Sequence, residues 1–226
     1  VQRHTATPAT TRKPGSVIAE VTSLPPGISP AGKHESSGHL PPARSPLAQT
    51  RYQRYTHRMP REVPGPYDPA EMRRFLDTFS YREEAFLVDE VSKIDPEARV
   101  VEAQMDTTRE LPFSRHQRVD PGHPAHVNAG EILQITGNLG CLHAWFFHGC
   151  RWEDGWAGFG CRIHRADFKN LARLGPPLRL ESLETRTRVG PKRIVMRCEF
   201  HFWQEETLVY FGDQTAMFLK DPSLGG

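Results

Sequence analysis

The run from Asn128 to Phe147 (NAGEILQITGNLGCLHAWFF) constrains this chain more than any other stretch. Its clearly polar side chains are Asn128, Glu131, Gln134, Thr136, Asn138 and His143, so a helix built from it is apolar on nearly every face. Such a helix has to be wrapped by other structure. Asn128 is a preferred N-cap, and Glu131, three residues on, fits a reciprocal capping arrangement. The preceding segment, Asp120 to Ala125 (DPGHPA), is turn-forming and delivers polar groups to the helix start together with His126. Unpaired backbone N–H groups at that end carry partial positive charge and can stabilise an oxyanion forming on a carbonyl.

The wrapping is legible in the flanks. Ala85 to Ile94 and Arg99 to Asp106 read as strands joined by the turn Asp95-Pro96-Glu97-Ala98. After the helix, Trp156 to His164, Leu178 to Val189, Arg193 to Gln204 and Thr207 to Leu219 are four further strands. In the third of these, Ile194, Met196, Cys198, Phe200 and Phe202 alternate with more polar positions, the period of a half-buried strand. Asp68 as N-cap with Pro69 at the first helical position predicts a short helix through Asp77. The sum is an α+β domain, an antiparallel sheet curled around one long central helix. That arrangement resembles the hot-dog fold, whose members mostly act on acyl thioesters of coenzyme A or acyl carrier protein.

The segment His126-Val127-Asn128-Ala129-Gly130-Glu131 resembles the H-x-N-A-x-E helix start of FcoT-type long-chain fatty acyl-CoA thioesterases. The likeness runs from about Met72 to Phe218 and includes RFLDTFS, FLVDEV and FHFW. It implies a thioester substrate, and the same family is similar to enzymes that add glycine to an enoyl thioester. An Asn near the helix start and two Tyr are associated with the family's site; Asn128 matches the first, while Phe79 and Phe113 stand near the Tyr positions, with Tyr81 close by. A second likeness joins Pro121-Gly122-His123-Pro124 to the PGHP turn of FabA/FabZ-type 3-hydroxyacyl-ACP dehydratases. The catalytic His and acid of that family fall here on Val119 and Leu133, which transfer no proton. A third, short likeness is between Ala125 to Ala129 and the G-H-V-N-N-A turn of 4-hydroxybenzoyl-CoA thioesterases, with Asp120 two residues too far upstream to match their Asp.

For hydrolysis, the expected catalytic residues are Asn128, Glu131, His126 and His123. Asn128 would orient substrate or water, with Glu131 or His126 as base. The amides of Ala129 and Gly130 would form the oxyanion site, and Gln134, Asn138, Phe79, Tyr81 and Phe113 would complete substrate binding. Dehydratase or lyase chemistry on enoyl or 3-hydroxyacyl thioesters is the alternative, and an acyl-binding module of a lipid or polyketide assembly is the non-enzyme alternative. Each polar residue also has a structural reading: Asn128 and Glu131 as caps, His123 as a turn organiser, His143 as a buried core histidine. Trp145, Phe146 and Phe147 read as core or dimer contacts, with an acyl tunnel as their functional alternative. His148, Cys150, Cys161 and His164 lack the paired spacing of a zinc site, so no metal is expected. No separate cofactor is expected either, coenzyme A or phosphopantetheine being part of the substrate.

Residues 1 to about 66 hold more than half of the chain's 20 Pro among Ser, Thr, Gly and Arg, and they read as a disordered arm or linker. The folded domain is expected over 67–221, with a flexible tail at 222–226. Arg51 to Arg61 is basic with two Tyr and reads as a solvated linker with some capacity for acidic partners. Four Cys without framework spacing point to a reducing, cytoplasmic setting. The formal charge of +2 demands no nucleic-acid partner, and no segment has the length of a membrane span. The expected partners are acyl-CoA or acyl carrier protein, with a second copy of the chain in a homodimer.

Overall fold

The computed structural model describes residues 62–221. Most of the expected N-terminal arm, and all of the tail at 222–226, lie outside the described residues.

Asp68 caps the first helix, α1 (Pro69–Thr78), through a 2.9 Å hydrogen bond that its side chain accepts from the Ala70 amide. Pro69 costs nothing in that first turn because its missing N–H would have had no helical partner. Met72 and Phe75 form the buried stripe of α1. Phe75 packs against Phe79, Phe86, Trp145 and Trp152, with ring centroids 5.1 to 6.0 Å apart. A Phe buried this completely contributes about 1.5–3 kcal/mol.

The central helix α2 (Ala129–His148) starts at the cap expected from the sequence and ends where Gly149 turns left-handed at φ 64°. The strands are β1 (Glu90–Asp95), β2 (Val100–Met105), β3 (Trp156–Phe168), β4 (Leu178–Gly190), β5 (Arg193–Gln204) and β6 (Thr207–Lys220). They form one antiparallel sheet in the order β1-β2-β4-β5-β6-β3. Along β5, Ile194, Met196, Cys198, Phe200 and Phe202 are buried while their neighbours are half-buried or exposed, as the alternation predicts. With α2 packed against this sheet, the molecule has the hot-dog fold.

Two elements differ from the sequence reading. The first strand begins at Glu90, not Ala85, because Phe86, Leu87 and Val88 are all buried and cannot alternate between two faces. The Leu87 amide instead donates to the Asn138 side chain on α2 at 2.8 Å. Conversely, β3 continues past His164 to Phe168, paired with β6 as far as Tyr210. Its residues are exposed on both faces over most of its length, so it carries no alternation to read.

The two sheet edges are unlike. β1 is partly covered, since the Val91 amide donates to the Pro64 carbonyl at 2.8 Å. β3 presents Phe159, Ile163 and Phe168 to solvent, each about half exposed. Among the described residues no helix is long and apolar enough to cross a membrane.

Candidate active site

The start of α2 is a tightly bonded corner. The Asn128 side chain accepts from the Gly130 amide at 2.8 Å, and the Glu131 carboxylate accepts from the Asn128 amide at 3.0 Å, which completes a capping box. Glu131 also accepts from the Phe113 and Ser114 amides at 2.8 and 3.0 Å and from the Ser114 hydroxyl. The carboxylate is buried, and these four donors occupy it. It therefore ties the 3-10 turn Ser114–His116 to the helix start, and it has little acceptor capacity left with which to take a proton from water. The Gly130 amide is likewise engaged, so an oxyanion there would compete with the cap.

His126 is held at both of its backbone groups by the Gln117 side chain, at 2.9 and 3.1 Å. Its ring Nδ1 lies 2.8 Å from the Pro124 carbonyl. A carbonyl accepts only, so Nδ1 carries the proton and Nε2 of the neutral ring is left as an acceptor. His123 meets His126 edge to face with centroids 5.0 Å apart and sits in the turn closed by mutual backbone bonds with Asp120. Asp120 spends its side chain on the Gly122 amide at 2.7 Å. His126 and Ala129 line a hollow of about 410 Å³ completed by Ile132, Phe168, Leu171 and Tyr210.

A second, more apolar groove of about 410 Å³ runs along the other side of α2, against β3, β5 and β6. Phe79, Tyr81, Gln134 and Asn138, all expected as substrate contacts, meet here. Phe113, Asn128, Gly130 and Glu131 do not reach it. Phe113 is exposed and lies over Gly130, where a Cβ would come within 3.3 Å of its ring.

The groove exists because one stripe of α2 is left uncovered. Leu133, Gly137, Gly140 and Cys141 share that stripe, and nothing lies within 4 Å of where a Cβ would stand on either glycine. Opposite them are Met196, Cys198, Phe200 and Phe218. The sequence reading missed this side of the pocket, although two glycines three residues apart in an otherwise apolar helix were a visible signal. Gly158 belongs to it as well: a Cβ there would stand 2.6 Å from the Phe218 ring.

The groove's polar lining is made of amides, hydroxyls, thiols and Arg162. The Thr136 hydroxyl donates to the Gln214 side-chain oxygen at 3.1 Å, and the Gln214 amide nitrogen donates to the Tyr210 hydroxyl at 3.1 Å. Burial pushes the Cys141 thiol up to about 12, so it stays protonated and non-nucleophilic at neutral pH. Asn138 stands apart. It is completely buried, its oxygen accepts from Leu87, and its Nδ2 has no hydrogen-bond partner among the described residues. A buried unmade hydrogen bond costs about 1–3 kcal/mol.

The remaining histidines are structural or peripheral to the groove. His143 Nε2 lies 2.7 Å from the Ser182 hydroxyl between α2 and β4, and its Nδ1 is 3.8 Å from Glu184, beyond hydrogen-bond reach. Burial lowers His143 to about 4, against the opposing charge of Glu184. Burial also works to raise Glu184, but bonds from His148 and Thr187 outweigh it and hold the carboxyl at about 2. Ser182 is buried, so this Ser-His-Glu grouping has no access to substrate. Trp145 is core, Phe146 packs on Tyr67 and Phe147 on His143; none of the three lines the groove. His164 bonds Thr215 at 2.8 Å. Among the described residues no group of three His, Cys, Asp or Glu could hold a metal ion.

No family model and no curated protein matches the chain. Among solved structures it is similar to the thioesterase HI1161 of Haemophilus influenzae, at 15% identity over 65% of this chain and 88% of that one, with a TM-score of 0.42. It is also similar to a phenylacetic acid degradation-related protein of Ralstonia eutropha, at 17% identity over 56% of this chain and 82% of that one, TM-score 0.39. An uncharacterized Pyrococcus horikoshii protein gives 17% identity, coverage of 61% and 88%, and a TM-score of 0.41.

Proposed function

We propose that this protein is an acyl-thioester hydrolase whose substrate is a fatty acyl-CoA or acyl-carrier-protein thioester. The observation that carries the reading is the unpaired Asn138 Nδ2, buried beside an apolar groove of about 410 Å³. An apolar channel with one fixed, dehydrated donor suits a long acyl chain attached to a polarisable carbonyl. The acyl chain lies between the glycine stripe of α2 and Met196, Phe200 and Phe218, and Asn138 donates to the thioester oxygen.

His126 is the better base of the candidates named from the sequence, because Nε2 of its neutral ring is the acceptor and Glu131 is committed to capping. His126 lines the other hollow, however, so water activation at the groove calls for a second subunit. Hot-dog domains usually pair through edge strands and place their sites near the subunit boundary. The exposed β3 edge of this chain borders the groove through Gly158 to Ile163.

The acyl-binding module is the second reading, favoured by a groove lining that holds no carboxylate and no imidazole. Mass spectrometry of the full chain with saturated, 3-hydroxy and enoyl acyl-CoA, the last with glycine, separates the possibilities. Free acid is expected. Asn138→Asp keeps the acceptor for Leu87 and removes the donor, so kcat should fall on the order of 10²-fold or more if Asn138 serves the oxyanion. Product formation unchanged in a folded Asn138→Asp variant would remove that role. Water loss or glycine addition would move the protein to lyase chemistry, and tight acyl-CoA binding without turnover would make it a binding module.

A further inference from the structure

The face of the sheet turned away from α2 carries two features that the thioester reading leaves unused. Along β5 the outward positions run Arg193, Val195, Arg197, Glu199, His201 and Trp203, alternating with the buried residues that face the helix. One end of that line is aromatic. His201 stands directly opposite Phe211 across the β5–β6 ladder with ring centroids 5.0 Å apart, and Trp203 stacks on His201 at 5.5 Å with 17° between the planes. Guanidinium groups bracket the row: Arg179 lies 4.2 Å from the Trp203 ring centroid and Arg165 lies 5.0 Å from that of Phe211.

The other end is cationic. Arg186, Arg188, Arg193 and Arg197 line an open hollow of about 350 Å³, and Arg186 stands directly opposite Arg197 across the β4–β5 ladder. Directly opposed like charges destabilise a strand pair. The carboxylates of this face are engaged elsewhere on it: Asp213 bonds Arg197, Asp167 bonds Arg165, Glu181 lies 3.7 Å from the His201 ring, and Glu199 acts on Arg197. Among the described residues Arg186, Arg188 and Arg193 form no ion pair with a carboxylate, and all three are exposed. The chain's formal charge is only +2, so the cluster is a local concentration of positive charge and no consequence of an overall excess.

We propose that this outer face binds a single-stranded nucleic acid, its bases stacking on the row of Trp203, His201 and Phe211 and its phosphates meeting Arg186, Arg188 and Arg193. Aromatic rings set across neighbouring strands of an open sheet suit unpaired bases, and arginines further along the same strands suit the backbone that joins them. An acidic peptide has no need of the rings. A bilayer fits the face poorly, because a hot-dog sheet wraps its helix and its outer side is convex, whereas a flexible strand follows such a surface. From Trp203 to Arg193 the line runs roughly 33 Å, which calls for an extended polyanion over a compact one. A second copy of the chain is a poor occupant too, since a two-fold contact centred on the hollow would set arginines against arginines. Pairing of β3 edges would lengthen the sheet and leave this face open. The inference does not depend on the thioester reading.

The test is fluorescence anisotropy of the full chain with a labelled oligouridine of about 12 nucleotides, within the span of an ordinary single-strand site. The oligouridine should bind, with log affinity falling linearly against log salt. Arg186→Gln, Arg188→Gln and Arg193→Gln together should flatten that slope by about 2, the value for roughly three lost phosphate contacts. Trp203→Ala should instead weaken binding about fivefold or more with the slope unchanged, and Trp203→Phe, which keeps a ring, should recover most of it. Thioester turnover should be unaffected in these variants, because none of the four residues lines the groove, so this test and that of the hydrolase reading fail separately. Absence of oligouridine binding, or equal binding by the folded triple arginine variant, would overturn the proposal. Competition by inorganic polyphosphate as strong as by unlabelled oligouridine, with no effect of Trp203→Ala, would also overturn it and leave an unspecific polyanion surface. Arginine-dependent binding to phosphatidylglycerol vesicles without oligouridine binding would assign the face to a lipid surface instead.

Discussion

Glu131 and Asn138 are both buried polar side chains of α2, and hydrogen bonding separates their roles: the Glu131 carboxylate is occupied by four donors, whereas the Asn138 Nδ2 is left without a partner. Glu131→Gln should therefore be a stability variant, since its amide nitrogen would face N–H donors. A loss of about 2–4 kcal/mol is expected in urea denaturation, and a loss under ~0.5 kcal/mol would deny the clamp. Gly137 tests the opposite case. No atom lies within 4 Å of its Cβ position, so a larger side chain enters empty groove. Gly137→Leu should keep or raise helix stability by roughly 0.5–1 kcal/mol while shifting preference toward shorter acyl chains. An unchanged chain-length profile in a competition assay would place the acyl chain elsewhere. The capping pair was legible in the sequence from its spacing alone. The unpaired amide was not, because satisfaction depends on which groups from other elements come within reach.

Between elements, the α2–β4 contact makes the fold sensitive to acid. His143 is held down at about 4 by burial, against an ordinary value of 6.5. Above pH 6.5 both folded and unfolded chains keep it neutral, and its contribution is complete. As pH falls from 6.5 toward 4, the unfolded chain takes up a proton that the folded chain refuses, so stability declines by about 1.4 kcal/mol per pH unit at most. Glu184, held at about 2 against 4.5, extends the decline through the lower window. Denaturation midpoints measured from pH 7 to pH 4 should show this slope, and His143→Gln, which can still meet Ser182, should lose about one proton's worth of it. A slope unaffected by the substitution would assign the acid sensitivity to other groups. Element boundaries were legible where burial alternates, as in β5, and illegible where it does not: Phe86 to Val88 is buried throughout and much of β3 is exposed throughout, so neither shows a period of two.

For the molecule as a whole, the open β3 edge is the feature that an isolated chain leaves unresolved, since exposed strand edges with apolar side chains tend to pair. The proposed homodimer through β3 predicts a dimer in sedimentation, converted to monomer by Ile163→Lys with loss of thioester turnover. A dimer that survives the substitution would move the interface, and an active monomer would show that the groove is complete within one subunit. At this scale the division between sequence and structure becomes clear. The order of elements, the capped apolar helix and the strand periods follow from the sequence, because capping, turn chemistry and amphipathic spacing are interactions among near neighbours. They sufficed for an antiparallel sheet wrapped around a helix. Only the tertiary structure decided that one stripe of that helix stays open, that Asn138 faces it undersaturated, and that arginines from two strands gather on the opposite face of the sheet beside Thr215. Those features depend on strand order and register, which join residues far apart in the chain, and no local periodicity encodes which distant partners will meet.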